Sequence, residues 1–344
     1  MSFLNKSFYI IVEAGVNHDG FLSKAFELVD IAKESGADCI KFQGFSASEL
    51  AIKSCEKPEY QKRCGTKEEN QYDMLLKYEL KEDEFKQIKE YCFEKEIDFL
   101  ITPFSVNWVK KSYDMGVDML KISSGSVDSL PLLAEMGKTH LPVILSTGMS
   151  SINEISVAVE TLKYYGCRDL AILHCVSLYP AKIEQINLFS MHVLKEKFNT
   201  RIGLSDHTPD VFTGELAIAA GATILEKHFT IDQKAKGPDH LLSLSPEGLK
   251  EYIECARRAI RICGEERKEP LIEEFAVKKL VQTSLVSSRF IKKGEIFVKD
   301  MIVDKRPATG ISPDKIDTIL GRRANKDILE DVIIDYKDLT KGDI

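Results

Sequence analysis

The sequence predicts an α/β fold, a (β/α)8 TIM barrel followed by a small β-rich module. Three observations carry this. Short apolar runs alternate with amphipathic, helix-like segments eight times between Phe8 and Cys263. Nearly every run ends in polar side chains, as the mouth of a barrel requires and a purely structural barrel does not. After Gly264 the alternation stops and short, turn-rich segments take over. A doubly wound open sheet is the competing architecture, but no GxGxxG turn follows the first run.

In order, Phe8–Val12 is the first strand and leads into EAGVNHDG. Leu22–Ser35 reads as a helix because Ala25, Leu28, Val29 and Ala32 fall on one face, and Gly36 stops it. The second strand, Cys39–Gln43, ends KFQ. The polar stretch 44–80 is long for a strand-to-helix loop, so it is expected to cover the site or fold into extra short helices. Lys81–Lys95 is a helix, Asp98–Phe104 the third strand, and Val106–Met115 a helix ended by Gly116. The fourth strand is expected over Met119–Gly125, followed by a helix at Leu130–Gly137. Pro142–Gly148, Ile152–Tyr165 and Leu170–Val176 follow as strand, helix and strand, then Leu188–Phe198 as a helix. The last two strands, Arg201–His207 and Ala222–Phe229, flank a small apolar helix at Val211–Gly221. Ser245–Cys263 is the last long helix, with Pro246 suited to its first turn. Residues 1–264 thus form the barrel, the charged and Pro-containing stretch 265–284 a linker, and residues 285–344 a separate β-rich domain.

A length of 344 residues with 44% hydrophobic composition supports a large core and more than one domain. The net charge of -7 and the lack of a dense Lys/Arg stripe give no support for nucleic-acid binding. No apolar run reaches the roughly 20 residues a membrane helix needs, and the N-terminus lacks a convincing cleavage site. The protein is expected to be cytoplasmic. Its 8 cysteines are scattered without a CxxC pair, which points to reduced thiols rather than a disulfide or zinc framework.

His207 and His228 end the last two strands at matched positions. Adjacent parallel strands bring such ends side by side, so the two imidazoles can converge on one metal ion. Asp206 and Glu226 are candidates to add an oxygen ligand or orient a ring. Each histidine alone equally fits a strand-capping role. Lys41 and Lys121 lie on strands among Thr102, Ser124, Ser146 and Ser205, and together these make a phosphate or carboxylate pocket. Lys121 also fits two other roles: a buried ion pair with a carboxylate such as Glu13, or a Schiff-base lysine. The loop KAKGPDH, with Asp239 and His240, either folds over the mouth or is an ordinary solvated loop, and the residues alone favour the latter.

The ordered set EAGVNHDG, KFQ, TPF, LSTGM, HCVSLYP, GLSDHT, EKHFT and GPDH resembles the sialic acid synthase family. The terminal KKGEIF and KRPATGIS resemble that family's antifreeze-like SAF domain, of β-clip type. The resemblance implies condensation of phosphoenolpyruvate with an N-acylated mannosamine, giving a nine-carbon 2-keto acid and phosphate. It implies that His207 and His228 bind a divalent metal, Mn2+ or Mg2+. Lys41, Thr102, Lys121, Ser124, Ser146 and Ser205 would hold phosphoenolpyruvate. Gln43, Tyr179 and Asp239 would meet the sugar or its nearby water, and Glu13 would stand near the reacting centre as acid or base. Arg306 matches an arginine that reaches the site of a neighbouring subunit, which implies a homodimer with exchanged C-terminal domains.

Two positions depart from the family pattern. Ser126 stands where a glutamate is usual and Ser177 where Asn or Thr is usual, with Asp128 a candidate stand-in for the carboxylate. The expected activity is N-acetylneuraminate synthase. The alternatives are a legionaminate or pseudaminate synthase using a 2,4-diacetamido-2,4,6-trideoxy hexose, a Schiff-base aldolase through Lys121, and a non-catalytic carbohydrate-binding protein.

Overall fold

A computed structural model of the chain describes residues 6–63 and 70–340. The chain divides into two compact units, Met1–Gly264 and Glu265–Ile344. In the first, eight parallel strands close into a barrel in sequence order: β1 (Tyr9–Gly15), β2 (Cys39–Gly44), β3 (Asp98–Pro103), β4 (Leu120–Ile122), β5 (Val143–Ser146), β6 (Leu170–Cys175), β7 (Arg201–Asp206) and β8 (Ile224–His228). Helices run between successive strands and end with the long helix Pro246–Cys263. Several start on side-chain caps that satisfy exposed backbone amides. Ser105 accepts from Trp108 N–H ahead of Val106–Asp114, and Ser245 accepts from Gly248 N–H ahead of Pro246–Cys263.

Strand periodicity places the site. Side chains of a strand alternate between the barrel interior and the helix layer. The interior's lower layer is apolar, built from Tyr9, Ile11, Cys39, Leu100, Met119, Ile144, Ala171, Leu173 and Ile224. Two residues on, toward the carboxyl ends, the inward positions become Glu13, Lys41, Thr102, Lys121, Ser146, Cys175 and Glu226. The apolar floor excludes water from below the polar layer, so charges there interact in a low dielectric. Gly203 is needed in that floor, because a Cβ there would strike the Ile224 carbonyl and approach Leu173 Cδ2 to 2.7 Å. Outward-facing residues such as Ile10, Val12, Ile40, Phe42, Ile101 and Leu145 pack against the helices in the larger core.

The fourth strand is shorter than expected. It stops at Ile122, because Ser123–Ser126 closes a tight turn in which Ser126 N–H reaches the Ser123 carbonyl at 3.0 Å. The stretch 44–80 forms three short helices, Ala47–Leu50, Glu59–Arg63 and Gln71–Tyr78. Phe45, Ala47, Met74, Leu75 and Tyr78 close on Val16 of the first loop in a small core of their own. Residues 64–69 lie outside the described part. Among the described residues, no helix is long and apolar enough to cross a membrane.

The second unit contains an exposed helix, Glu274–Val281, within the stretch expected as linker. It continues into an antiparallel pair, β9 (Ser284–Ser287) with β10 (Ile302–Lys305), whose register sets Ser284 opposite Lys305. Leu285, Ile291, Phe297, Ile311, Ile319 and Ile334 form its separate core. Arg306 follows β10 and is exposed.

Candidate active site

Parallel pairing sets Glu13 opposite both Lys41 and His228. All are buried, so their charges have to be matched within the barrel. Lys41 Nζ lies 2.7 Å from Glu13 Oε2, 3.7 Å from Glu226 Oε2 and 3.3 Å from Thr102 Oγ1. Lys121 Nζ donates to Ser146 Oγ at 2.6 Å and to the Ile122 carbonyl at 2.9 Å, and stands 3.7 Å from Glu226 Oε2. Ser205 Oγ donates to Glu226 Oε1 at 2.8 Å. Glu226 therefore sits between both ammonium groups.

The environments of the four charges differ. Burial pushes the Glu226 carboxyl up, but Lys121, then Lys41, and the Ser205 hydroxyl outweigh it and hold it down at about 2. Burial wins at Glu13, which is raised despite Lys41. Burial lowers Lys121, with Lys41 adding repulsion. Lys41 stays above its ordinary value, because Glu13 and then Glu226 overcome its burial. One lysine is thus firmly cationic and the other poorly compensated, an arrangement that welcomes an added anion.

His207 and His228 face each other with ring centroids 5.5 Å apart. His207 Nδ1 donates to the Val176 carbonyl at 2.8 Å, which leaves Nε2 as the ligating nitrogen. In the metal-free protein burial lowers His207, but Cys175 outweighs it and holds the ring above its ordinary value, so a bound metal ion would displace the Nε2 proton. The buried Nδ1 of His228 has no hydrogen-bond partner. Two imidazoles, one fixed in tautomer and one with an orphaned nitrogen, fit a divalent ion. Among the described residues no group of three or more His, Cys, Asp or Glu is gathered to hold a metal ion. Burial and then the His207 charge keep His228 well below its ordinary value, hence neutral and able to ligate. The Tyr179 ring packs over His207 at 4.3 Å.

At the mouth, Gln43 Nε2 donates to Glu13 Oε1 at 3.0 Å. A Cβ placed on Gly15 would lie 3.0 Å from Asp239 Oδ2, 3.4 Å from Gln43 Nε2 and 3.5 Å from Glu13 Oε1. The bare glycine is what lets these three side chains converge. Burial and then the Glu13 charge push the Asp239 carboxyl up to about 6. Across the mouth, Ser124 Oγ accepts from Gly148 N–H at 2.9 Å. A Cβ on Gly148 would collide with Ser177 Oγ and lie 3.0 Å from Ser124 Oγ and 3.2 Å from Cys175 Sγ.

The barrel interior thus gathers Glu13, Lys41, Gln43, Thr102, Lys121, Ser146, Ser205, His207, His228 and Asp239, with Ser124 and Tyr179 at its rim. Several expectations are corrected. Lys121 pairs with Glu226 rather than Glu13, because the two meet across the barrel. Asp206 points to the helix layer, where it binds Lys227 Nζ at 2.8 Å, so it is no metal ligand. Asp128 is exposed. The loop with Asp239 and His240 is buried there, not solvated. Sequence reasoning took Glu226 as a candidate metal ligand and missed its place as counter-ion shared by Lys41 and Lys121, and it missed Cys175, whose Sγ lies 3.7 Å from His207 Nδ1. An inward position two residues above the apolar floor was the available signal for both.

The NeuB family model matches residues 28–268, and the SAF domain model residues 282–340. The N,N'-diacetyllegionaminic acid synthase of Legionella pneumophila is 40% identical over 93% of this chain and 91% of its own length. A protein of the same name from Campylobacter jejuni is 38% identical over 96% of this chain and 99% of its own. The crystal structure of an N-acetylneuraminic acid (sialic acid) synthetase from Leptospira borgpetersenii, in complex with citrate, is 34% identical. It superposes with a TM-score of 0.70, covering 79% of this chain and 90% of that one.

Proposed function

This chain belongs to the NeuB family and carries a SAF domain, and we propose that it condenses phosphoenolpyruvate with an open-chain N-acylated amino hexose to give a nonulosonic acid and phosphate. The observation that carries this is the buried Lys41–Glu226–Lys121 array beside the His207–His228 pair. Lys41 and Lys121 meet the phosphate and carboxylate charges, while Thr102, Ser124, Ser146 and Ser205 orient those oxygens. A divalent ion, Mn2+ or Mg2+, held by His207 and His228, would supply Lewis-acid polarisation of the sugar aldehyde.

The remaining work falls to the chain's own groups. The barrel holds C3 of phosphoenolpyruvate against the aldehyde carbon, where attack forms the new bond. C2 becomes electron-poor, and water attached there gives a tetrahedral centre that releases phosphate by C–O cleavage. Glu13 is raised by burial, stands beside Gln43, and is placed to take the proton from that water. Gln43, Tyr179 and Asp239 position the sugar. Arg306, exposed after β10, is proposed to serve the acceptor end from a second copy of the chain. Sedimentation showing only monomer at working concentration would remove that role.

Between acceptors, the 2,4-diacetamido-2,4,6-trideoxy hexose is favoured over N-acetylmannosamine. Relatives 40% and 38% identical carry the diacetyllegionaminic name, and Ser126 and Ser177 depart from the family pattern at two positions that the resemblance sets against the sugar. The test is phosphate release from phosphoenolpyruvate with Mn2+, comparing both sugars. Faster release with the trideoxy sugar supports this reading, and preference for N-acetylmannosamine moves the chain to N-acetylneuraminate synthesis. A Schiff-base aldolase through Lys121 is the second reading, favoured by burial that lowers its pKa. Borohydride with pyruvate would inactivate such an enzyme and leave a metal-dependent condensing enzyme untouched.

A further inference from the structure

The motifs NHDG after β1 and KAKGPDH after β8 are distant in sequence and joined in the fold. Asp239 is the one residue of the second motif given a role above. Its neighbour His240 is 2% exposed and bonded on both ring nitrogens. Nε2 lies 3.0 Å from Asp19 Oδ1, and Nδ1 lies 2.6 Å from Thr230 Oγ1. A neutral ring satisfies both contacts, with Nε2–H donating to the carboxylate and Nδ1 accepting the Thr230 hydroxyl. Asp19 is fixed in turn by Lys24 Nζ at 2.6 Å and by a left-handed backbone with φ of 53°. Gly237 leaves room for the ring, since a Cβ there would stand 2.6 Å from His240 Cδ2.

A second tie runs parallel to the first. Asn17 Nδ2 donates to the Phe229 carbonyl at 2.7 Å and to Ser243 Oγ at 2.9 Å, and Ser243 Oγ donates to the Asp239 carbonyl at 2.6 Å. Both ties begin on the loop after β1 and end on Asp239 or its neighbour. The tip of the loop after β8 is exposed at Lys234 and Lys236, and these two ties fix its buried end against the first loop. A buried, fully bonded His–Asp contact is costly to assemble and pointless for a solvated loop, but it holds a carboxylate at a fixed place over the barrel mouth.

We propose that Asp19 and His240 are positioning residues that clamp the loop after β8 and so aim Asp239 at the sugar acceptor. The proposal rests on the reading above that Asp239 meets the acceptor. It predicts that losing the clamp weakens acceptor use while leaving phosphoenolpyruvate, bound deeper by Lys41 and Lys121, unaffected.

The test measures both KM values in Asp19→Ala, His240→Asn, His240→Gln and Asp239→Asn, all as full-length, Mn2+-loaded protein. Asp19→Ala and His240→Asn are expected to raise the acceptor KM about 10- to 100-fold, as loss of a buried bond to a charged group does. The KM for phosphoenolpyruvate stays within about twofold, which general destabilisation would not spare. The Asp19→Ala/His240→Asn double variant, measured alongside, is expected to be no worse than either single one, since both substitutions cut the same link. His240→Gln carries an amide nitrogen near the Nε2 position and is expected to recover most of the loss. An unchanged acceptor KM in both single variants overturns the proposal, as does a parallel rise in both KM values. If Asp239→Asn raises the acceptor KM and Asp19→Ala does not, only the clamp fails. If Asp239→Asn itself has no effect, the functional reading of Asp239 fails and the clamp's purpose falls with it.

Discussion

Replacing Glu226 by Gln removes the charge shared by two buried ammonium groups while keeping the side chain's shape. Its Oε2 lies 3.7 Å from both Lys41 and Lys121. At an effective dielectric of about 20, each pair is worth about 4.5 kcal/mol, so the gross attraction is about 9 kcal/mol. Desolvation of the carboxylate opposes several kcal/mol of this, and removing one member of a buried ion pair costs about 3–5 kcal/mol net. Lys41 keeps Glu13 at 2.7 Å, so most of the loss falls on Lys121, which retains only Ser146 and a carbonyl. Thermal unfolding of the ligand-free protein is the assay, and the midpoint is expected to fall by roughly 10 °C. Inorganic phosphate should raise the midpoint more in the variant than in the wild type, because the anion settles beside the unpaired lysines. A midpoint within about 2 °C of the wild type would show that Glu226 does not carry the charge balance assigned to it.

Three further outcomes follow from the same geometry. In metal-free protein, Asp239 has an ordinary value of 3.8 and is raised to about 6, so its contribution to stability is present in full below 3.8 and lost as pH rises through about 6. Asp239→Asn should therefore flatten the stability profile over that window, worth about 3 kcal/mol, as read by urea unfolding at several pH values. His228→Ala is expected to abolish tight Mn2+ binding measured by paramagnetic resonance, with the fold intact by circular dichroism. Gly148→Ala puts a methyl against Ser177, Ser124 and Cys175 and should weaken substrate binding at least tenfold, checked by KM values with both substrates.

Much of this was legible in the sequence because barrel geometry is periodic. The polar ends of the successive apolar runs exposed Lys41, Lys121 and Ser205 as neighbours of one mouth, and the matched ends of β7 and β8 paired His207 with His228. What the sequence did not show were contacts made across the interior. Glu226 shares a face with His228, but its partners sit on β2 and β4, and only the closed barrel brings them together. Asp206 was misread because adjacency in sequence to His207 means the opposite face of a strand. His240 and Asp19 are 221 residues apart, and no local pattern announces that the two loops meet.

The most direct test uses phosphoenolpyruvate labelled with heavy oxygen at the bridging position, incubated with the trideoxy sugar and Mn2+. If the barrel holds C3 against the aldehyde and water adds at C2, the label appears in released phosphate, and only when sugar and metal are both present. Label retained in the keto acid, or phosphate released without a sugar, would contradict the proposed condensation.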